Sequence, residues 1–322
     1  MCNCDCILNN LPLPERKLIE RIRRRAGPVR TKGLVAGIGD DAAILELPRN
    51  CQLVATTDLM VEGVHFRRDW HSPESIGHRA LARGLSDLAA MGADPWAVLL
   101  SLALAPRTPQ AWVDKFLTAF LKLARKHDVA LIGGDTSASG AQITADVVVL
   151  GKVPRGKAVL RSGARPGDVI CVTGELGAAS ATIRELRRRG QRGTGRRELA
   201  PQPRLEVGRW LRERRLATAM IDLSDGLSTD LLHICQQSRV GAAILESAVP
   251  RPATATIEDA LHGGEDYELL FTIPRQKQLP SEIEGVPVSA IGEIVASRRP
   301  AARILAKGRW RPLAPHGWQH FA

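Results

Sequence analysis

At 322 residues the chain exceeds a single domain of ordinary size, ~100–150 residues, so two domains with ample cores are the starting expectation. Hydrophobic residues make up 44% and charged residues 25%, the composition of a folded protein, and no apolar run approaches the ~18–20 residues that a membrane span needs. A net charge of +11 suits phosphate-bearing partners, but with aromatics at 4% and no helix-turn-helix or zinc-finger spacing, a base-stacking nucleic-acid surface has little to build on.

The start, MCNCDCILNNLPLP, lacks the basic-then-apolar order of a secretory signal, which makes the cytoplasm the expected compartment. Residues 1–14 read as a flexible tail. No second Cys or His pair joins Cys2, Cys4 and Cys6 to complete a zinc site, and Cys51, Cys171 and Cys235 lie in apolar runs as buried thiols. An amphipathic helix is predicted over 15–26, with Leu18, Ile19 and Ile22 on one face and a stop at Gly27-Pro28.

The stretch from Gly37 to Phe66, GIGDDAAILELPRNCQLVATTDLMVEGVHF, places Asp40 and Asp41 behind two glycines. A strand near 44–47, a turn at Pro48 to Asn50, and a strand ending at Thr56-Thr57-Asp58 follow. Ser72-Pro73-Glu74 is a helix start, cap residue then proline in the first turn. That helix runs to about Met91, with Gly77, Ala80, Gly84 and Ala89 as small positions for close packing and Asp87 near its end. Val98 to Ala105 reads as a strand. Pro109 to Lys126 reads as a helix whose Trp112, Phe116 and Phe120 recur at core spacing. Val129 to Ile132 reads as a buried strand ending in Gly133-Gly134-Asp135, and 143–153 as the alternating strand that closes the first domain.

RSGARPGDVICVTGELG, Arg161 to Gly177, opens the second domain with a turn, a strand and a glycine-punctuated entry to a helix. The run from Arg184 to Arg204 is a helix end and a basic loop, read either as solvated surface or as an attractor of polyphosphate. A helix over 203–216 and a strand over 219–223 lead into Asp222, Ser224 and Asp225 and a helix over 227–237. A strand at 241–245, a loop at 262–265 and strands at 267–273 and 286–294 complete the expectation, before the terminal HGWQHFA.

Asp40, Asp41, Asp58, Asp87, Asp135, Asp222 and Asp225 make seven acids in loop or strand-end punctuation. Any one alone is a turn or cap residue; together, at the sheet edges where ligands sit in α/β folds, they call for cations. With the hydroxyls of Thr56, Thr57 and Ser224 the donor set is all oxygen, which suits magnesium before calcium or manganese. The surplus of acids suggests several ions, or ions bridged by substrate phosphates. Residues 37–42 fit G-x-G-x-x-A, but two carboxylates there would oppose a pyrophosphate, and the Walker and protein-kinase motifs are absent.

In order along the chain, GIGDDAA, TTDLMVEGVHF, LSDLAAMGADP, LIGGDT, RSGARPGD, IDLSDGLSTDLLHI, GGEDYELLF and GWQHF resemble the motif series of the thiamine-monophosphate kinases, from about Glu15 to Phe321. The resemblance implies the α/β, mixed-sheet fold of the aminoimidazole ribonucleotide synthetase-like superfamily. Residues 15–155 would form an N-terminal metal- and ATP-binding domain that dimerises through its sheet, and 156–322 a C-terminal α/β domain that completes the active site.

It further implies several magnesium ions held by Asp41, Thr56, Thr57, Asp58, Asp87, Asp135, Asp222 and Asp225, with Asp40 as a neighbour and Asp58, Asp135 and Asp222 most critical. ATP, the co-substrate, would meet Gly134, Asp135, Arg161 and Ser224, and thiamine phosphate would meet His65, Glu265 and Trp318. The implied reaction is in-line transfer of the ATP γ-phosphoryl group to thiamine phosphate, giving thiamine diphosphate, with no covalent intermediate. The acceptor phosphate has a second pKa of about 6 and is already an anion near neutral pH, so no general base is required. The implied partners are the two substrates and a second copy of the chain, without nucleic acid or membrane. Two alternatives stay open: another ATP-dependent enzyme of the superfamily, of selenophosphate or aminoimidazole ribonucleotide synthetase type, and a basic nucleic-acid-binding protein whose acids are structural.

Overall fold

The computed structural model describes residues 12–27, 31–189 and 200–321. Cys2, Cys4 and Cys6, the Pro28 stop and most of the arginine-rich stretch therefore lie outside the described residues. Strands and helices alternate through the rest, and the sheets mix parallel and antiparallel pairs, as an α/β chain should. Two compact units form: one from the chain up to Leu85 with Pro95–Arg155, the other from Ser86–Asp94, Gly156–Arg189 and the residues from Pro201 on.

In the first unit, α1 (Glu15–Ala26), β1 (Leu34–Ala36), β2 (Ile44–Leu45) and β3 (Cys51–Val61) precede α2 (Pro73–Ala90), whose last turn belongs to the second unit. β4 (Asp94–Leu104), α3 (Gln110–Lys126), β5 (Ala130–Ala138) and β6 (Thr144–Pro154) follow. The sheet order is β3-β6-β4-β5, with β3 antiparallel to β6 and β4 parallel to β5. Ser72 caps α2 as expected, its Oγ accepting from Ser75 N at 3.1 Å. The small positions of α2 are contact points: a Cβ on Gly77 would stand 2.1 Å from the Phe116 carbonyl oxygen of α3, and one on Gly84 2.5 Å from Val149 Cγ2 of β6. Helix α2 thus covers one sheet face, and α3 packs on α2 with Trp112, Phe116 and Phe120 stacked in series.

Four expectations need correction. The strand to Thr56-Thr57-Asp58 does not stop there: β6 offers partners from Cys51↔Pro154 to Val61↔Thr144, so the ladder runs past the aspartate. Likewise β5 continues through Gly133-Gly134-Asp135 to Ala138 because β4 pairs it, Leu100 opposite Gly134 and Ser101 opposite Asp135. Ile19 is 39% exposed and only Leu18 of that face is buried, because α1 meets α3 partly through Arg21 and Arg25 on Asp114. Cys51, at the start of β3, is only half-buried, whereas Cys171 and Cys235 are buried as expected.

The second unit contains β7 (Val169–Thr173), α4 (Ala178–Arg189), α5 (Leu205–Glu213), β8 (Ala219–Asp222), α6 (Leu227–Ser238) and β9 (Gly241–Leu245). After these come α7 (Ile257–His262), β10 (Leu269–Ile273), β11 (Glu282–Ile283), β12 (Val286–Val295), β13 (Ala301–Ala306) and β14 (Arg309–Pro312). They form one sheet in the order β14-β13-β9-β12-β7-β10-β8, with β11 beside β12. Ile170 and Val172 of β7, Ile221 of β8, Leu231 and Ile234 of α6 and Leu270 of β10 belong to its core. Helix α7 and the β13–β14 hairpin have no counterpart in the sequence reading. The first is a six-residue helix carried by a Thr256–Asp259 capping box, and all four residues of β14 are exposed. Among the described residues no helix is long and apolar enough to cross a membrane.

Candidate active site

Pleating sorts the Thr56-Thr57-Asp58 run. Thr56 and Asp58 share the face of β3 that carries buried Met60, while Thr57 is on the opposite, exposed face and donates its hydroxyl to Asp146 Oδ1 at 3.0 Å. Asp58 meets α2, where Arg83 Nη2 lies 2.8 Å from its Oδ1. Burial pushes the Asp58 carboxyl up, and the guanidinium charges of Arg83 and Arg79 only partly offset it.

Asp135 is exposed on β5, its Oδ1 accepting from Thr136 N at 2.8 Å. The residue before it must be glycine: Gly134 has φ +147°, and a Cβ there would stand 1.9 Å from the Leu100 carbonyl oxygen. Asp40 and Asp41 are both exposed, and Asp41 N donates to Asp40 Oδ1 at 3.0 Å.

His65 has its tautomer fixed by its own loop. Val61 N donates to Nδ1 at 3.1 Å, so the proton of the neutral ring belongs on Nε2, which becomes a donor. Arg79, 3% exposed, steadies the loop by donating to the His65 carbonyl at 3.2 Å and facing His71 Nε2 at 3.4 Å. Burial, with the Arg79 charge beside it, pushes His71 down to about 4, so this ring is neutral near pH 7. An open pocket of ≈ 690 Å³ flanks the same loop, lined by Glu62, Arg67, Arg68 and Gln142 among others.

In the second unit Asp222 ends β8, 4% exposed, and accepts from Ser86 Oγ at 2.8 Å. Burial first and Asp87 second push its carboxyl well above the usual range, while Ser86 and Arg161 pull it back. The fold thus brings the charge of Asp87 close to buried Asp222, and an oxygen-donor cation suits such a pair of like charges. The turn after β8 is built on Asp230, 1% exposed, whose Oδ2 accepts from Asp225 N at 3.1 Å and Gly226 N at 3.0 Å. Burial, with Asp222 and Asp225 nearby, pushes Asp230 up to about 8. Asp225, Asp230 and His233 offer ligand atoms within 4.8 Å of one another.

Two distant loops are tied to this turn by backbone bonds. Glu265 N donates to Ser224 O at 2.8 Å, and Trp318 N to Asp225 O at 3.0 Å. Glycine permits both approaches: a Cβ would stand 2.4 Å from Ser224 O at Gly264 and 2.2 Å from Asp225 O at Gly317. Glu265 and Tyr267 take positive φ, 73° and 53°, the kind of backbone strain that functional loops retain. The neighbouring acids serve the scaffold: Asp266 Oδ2 accepts from Gly177 N at 2.8 Å, and Glu268 binds Thr173 and Arg204. Trp318 is 52% exposed, with His320 edge-on to its ring.

Within the first unit the structure therefore joins Asp58 to α2 and leaves Asp40, Asp41 and Asp135 exposed. Within the second it gathers Asp87 with Asp222 near Arg161, and Ser224, Asp225, Glu265 and Trp318 around one turn. Sequence reasoning missed Arg79, Arg83, Asp146, Asp230 and His233. The signal for the last two was their spacing, five and eight residues after Asp225, on the helix that follows it.

Residues 39–153 match the family model described as AIR synthase related protein, N-terminal domain, and 165–304 the corresponding C-terminal domain. The chain is 39% identical over 306 residues to the thiamine-monophosphate kinase of Escherichia coli (strain K12), covering 89% of this chain and 92% of that one. It is similar to the crystal structure of thiamine-monophosphate kinase from Stenotrophomonas maltophilia K279a, at 34% identity and a TM-score of 0.80, covering 93% and 98% of the two chains. It is also similar to AaThiL complexed with AMPPCP and TMP, at 31% identity and a TM-score of 0.75, with coverage of 96% and 97%.

Proposed function

The chain belongs to the thiamine-monophosphate kinases, within the AIR synthase related proteins, and from that premise we propose how its residues divide the reaction. The enzyme transfers the γ-phosphoryl group of ATP to thiamine phosphate, forming thiamine diphosphate and ADP. The observation that supports the site assignment is Asp222, buried at the end of β8 on Ser86 with the half-buried Asp87 beside it, two like charges drawn to one place.

Asp41, Thr56, Thr57, Asp58, Asp87, Asp135, Asp222 and Asp225 are assigned to magnesium, with the Thr57 side chain the one that faces away from Asp58. Bound magnesium supplies positive charge against the mutually repelling phosphates. Gly134, Asp135, Arg161 and Ser224 are assigned to ATP; Gly134 and Asp135 are exposed, and Arg161 adds charge near Asp222. His65, donating through Nε2, suits a phosphate oxygen of thiamine phosphate. Glu265 and the exposed face of Trp318 suit the cationic thiazolium ring. No residue serves as general base, because the acceptor phosphate is already ionised near neutral pH.

Two copies pair through the outer face of β3, where Leu53 and Leu59 are exposed, and the use of ATP supports a cytoplasmic location. The test is a coupled ADP-release assay. Release should depend on thiamine phosphate, should not follow from free thiamine, and should fall by at least about a hundredfold in Asp222→Asn. Turnover with free thiamine, or an active Asp222→Asn, would refute the assignment.

A further inference from the structure

Asp58, assigned above to magnesium, already has a cation. Arg83 Nη2 stands 2.8 Å from Asp58 Oδ1, and the two side chains are 12% and 16% exposed. Two elements bring this about. The pleat of β3 turns Asp58 toward α2, and α2 presents Arg79 and Arg83 one helical turn apart. Gly84, with no room for a Cβ against Val149, keeps this turn of the helix close to the sheet, so the Arg83 guanidinium reaches the strand face.

The neighbouring Arg79 donates to the His65 carbonyl and acts on Asp58 through its charge. Arg83 adjoins the carboxylate itself. An exposed pair would be screened by salt and contribute little, whereas at this depth screening is weak. A divalent ion approaching Asp58 must come within a few ångströms of a guanidinium that cannot lose its charge.

We propose that Arg83 is a built-in competitor for metal at Asp58: it holds the carboxylate when no ion is present and must share or yield it when magnesium binds. The enzyme then needs more magnesium than its acids alone would require. This rests on the assignment of Asp58 to magnesium, and the experiment separates the two.

Magnesium binding is titrated calorimetrically without nucleotide in the wild type, Arg83→Gln, Arg83→Lys and Asp58→Asn, with the magnesium-induced rise in melting temperature as a second readout. Arg83→Gln is expected to bind magnesium at least about fivefold more tightly than wild type and to show the larger thermal rise. Arg83→Lys should move the same way by a smaller factor, and carries the test if the glutamine variant does not fold. Unchanged or weaker magnesium binding in the Arg83 variants, with binding impaired in Asp58→Asn, overturns the competition while leaving Asp58 as a ligand. Wild-type binding in Asp58→Asn shows that the assignment of Asp58 has failed, and the proposal with it.

Discussion

Asp266 lies between Glu265 and Tyr267, both at positive φ, and turns its carboxyl onto the Gly177 N–H at the entry to α4. Burial pushes it up to about 8, with Glu268 and Asp259 adding to the shift and the backbone donors of Gly177 and Ala179 opposing it. A folded-state pKa above the ordinary 3.8 means that the native chain holds this proton more tightly than the unfolded one. The stabilisation is complete below the ordinary value and is lost as pH rises through about 8. Asp266→Asn keeps an oxygen to accept from Gly177 but never ionises. Its melting temperature should therefore gain on the wild type between about pH 6 and about pH 9, and a difference that stays flat over that range would contradict the burial argument. In the sequence GGEDYELLF the three carboxylates look alike. What distinguishes Glu265 from Asp266 and Glu268 is which of them the chain uses to hold β7 and α4 in place, and spacing does not encode that.

At the scale of elements, α2 was legible because its signals are local: a serine cap, a proline in the first turn and small residues along its faces. Those small residues have a testable consequence. A Cβ on Gly77 would stand 2.1 Å from the Phe116 carbonyl oxygen, and backbone cannot rotate out of the way as a side-chain end can. Gly77→Ala should cost about 1–3 kcal/mol in chemical denaturation, the range for overpacking a tight contact. Gly140→Ala, with nothing within 4 Å, is the control and should change little. Equal denaturation midpoints for the two variants would mean that α2 and α3 can separate at no cost. The strand ends were not legible for the opposite reason. Whether β3 stops at Asp58 depends on β6 supplying partners as far as Val61, a fact about residues some ninety positions away. The β13–β14 hairpin has no sequence signature because all four residues of β14 are exposed and it presents no alternating apolar face.

For the whole molecule, the acids could be recognised as a set, but not sorted: the sequence Thr56-Thr57-Asp58 does not say that Thr57 faces away from Asp58. The same pleat exposes the surface proposed above for the pairing of two copies. The β1–β2 ribbon covers part of the outer sheet face, where Leu34, Ala43 and Leu45 pack on Ala97, Ala130 and Ile132. Beside it β3 leaves Leu53 and Leu59 about half exposed, at 51% and 50%, on the side away from α2. The ribbon itself exposes Val35 at 60% and Ile44 at 55%. Apolar side chains gathered on one bare sheet face mark a protein contact more often than they mark free surface. Burying the exposed half of each leucine would contribute about 1 kcal/mol, and the contact would be isologous, the same strands from both copies. Light scattering should therefore give a mass about twice 34.9 kDa for the wild type and the single-chain mass for Leu53→Glu combined with Leu59→Glu. Because both leucines point away from α2, the Asp58–Arg83 pair should survive in that variant, and its circular dichroism should match the wild type. A monomeric wild type, or a doubly substituted chain that still pairs, would remove this face as the interface.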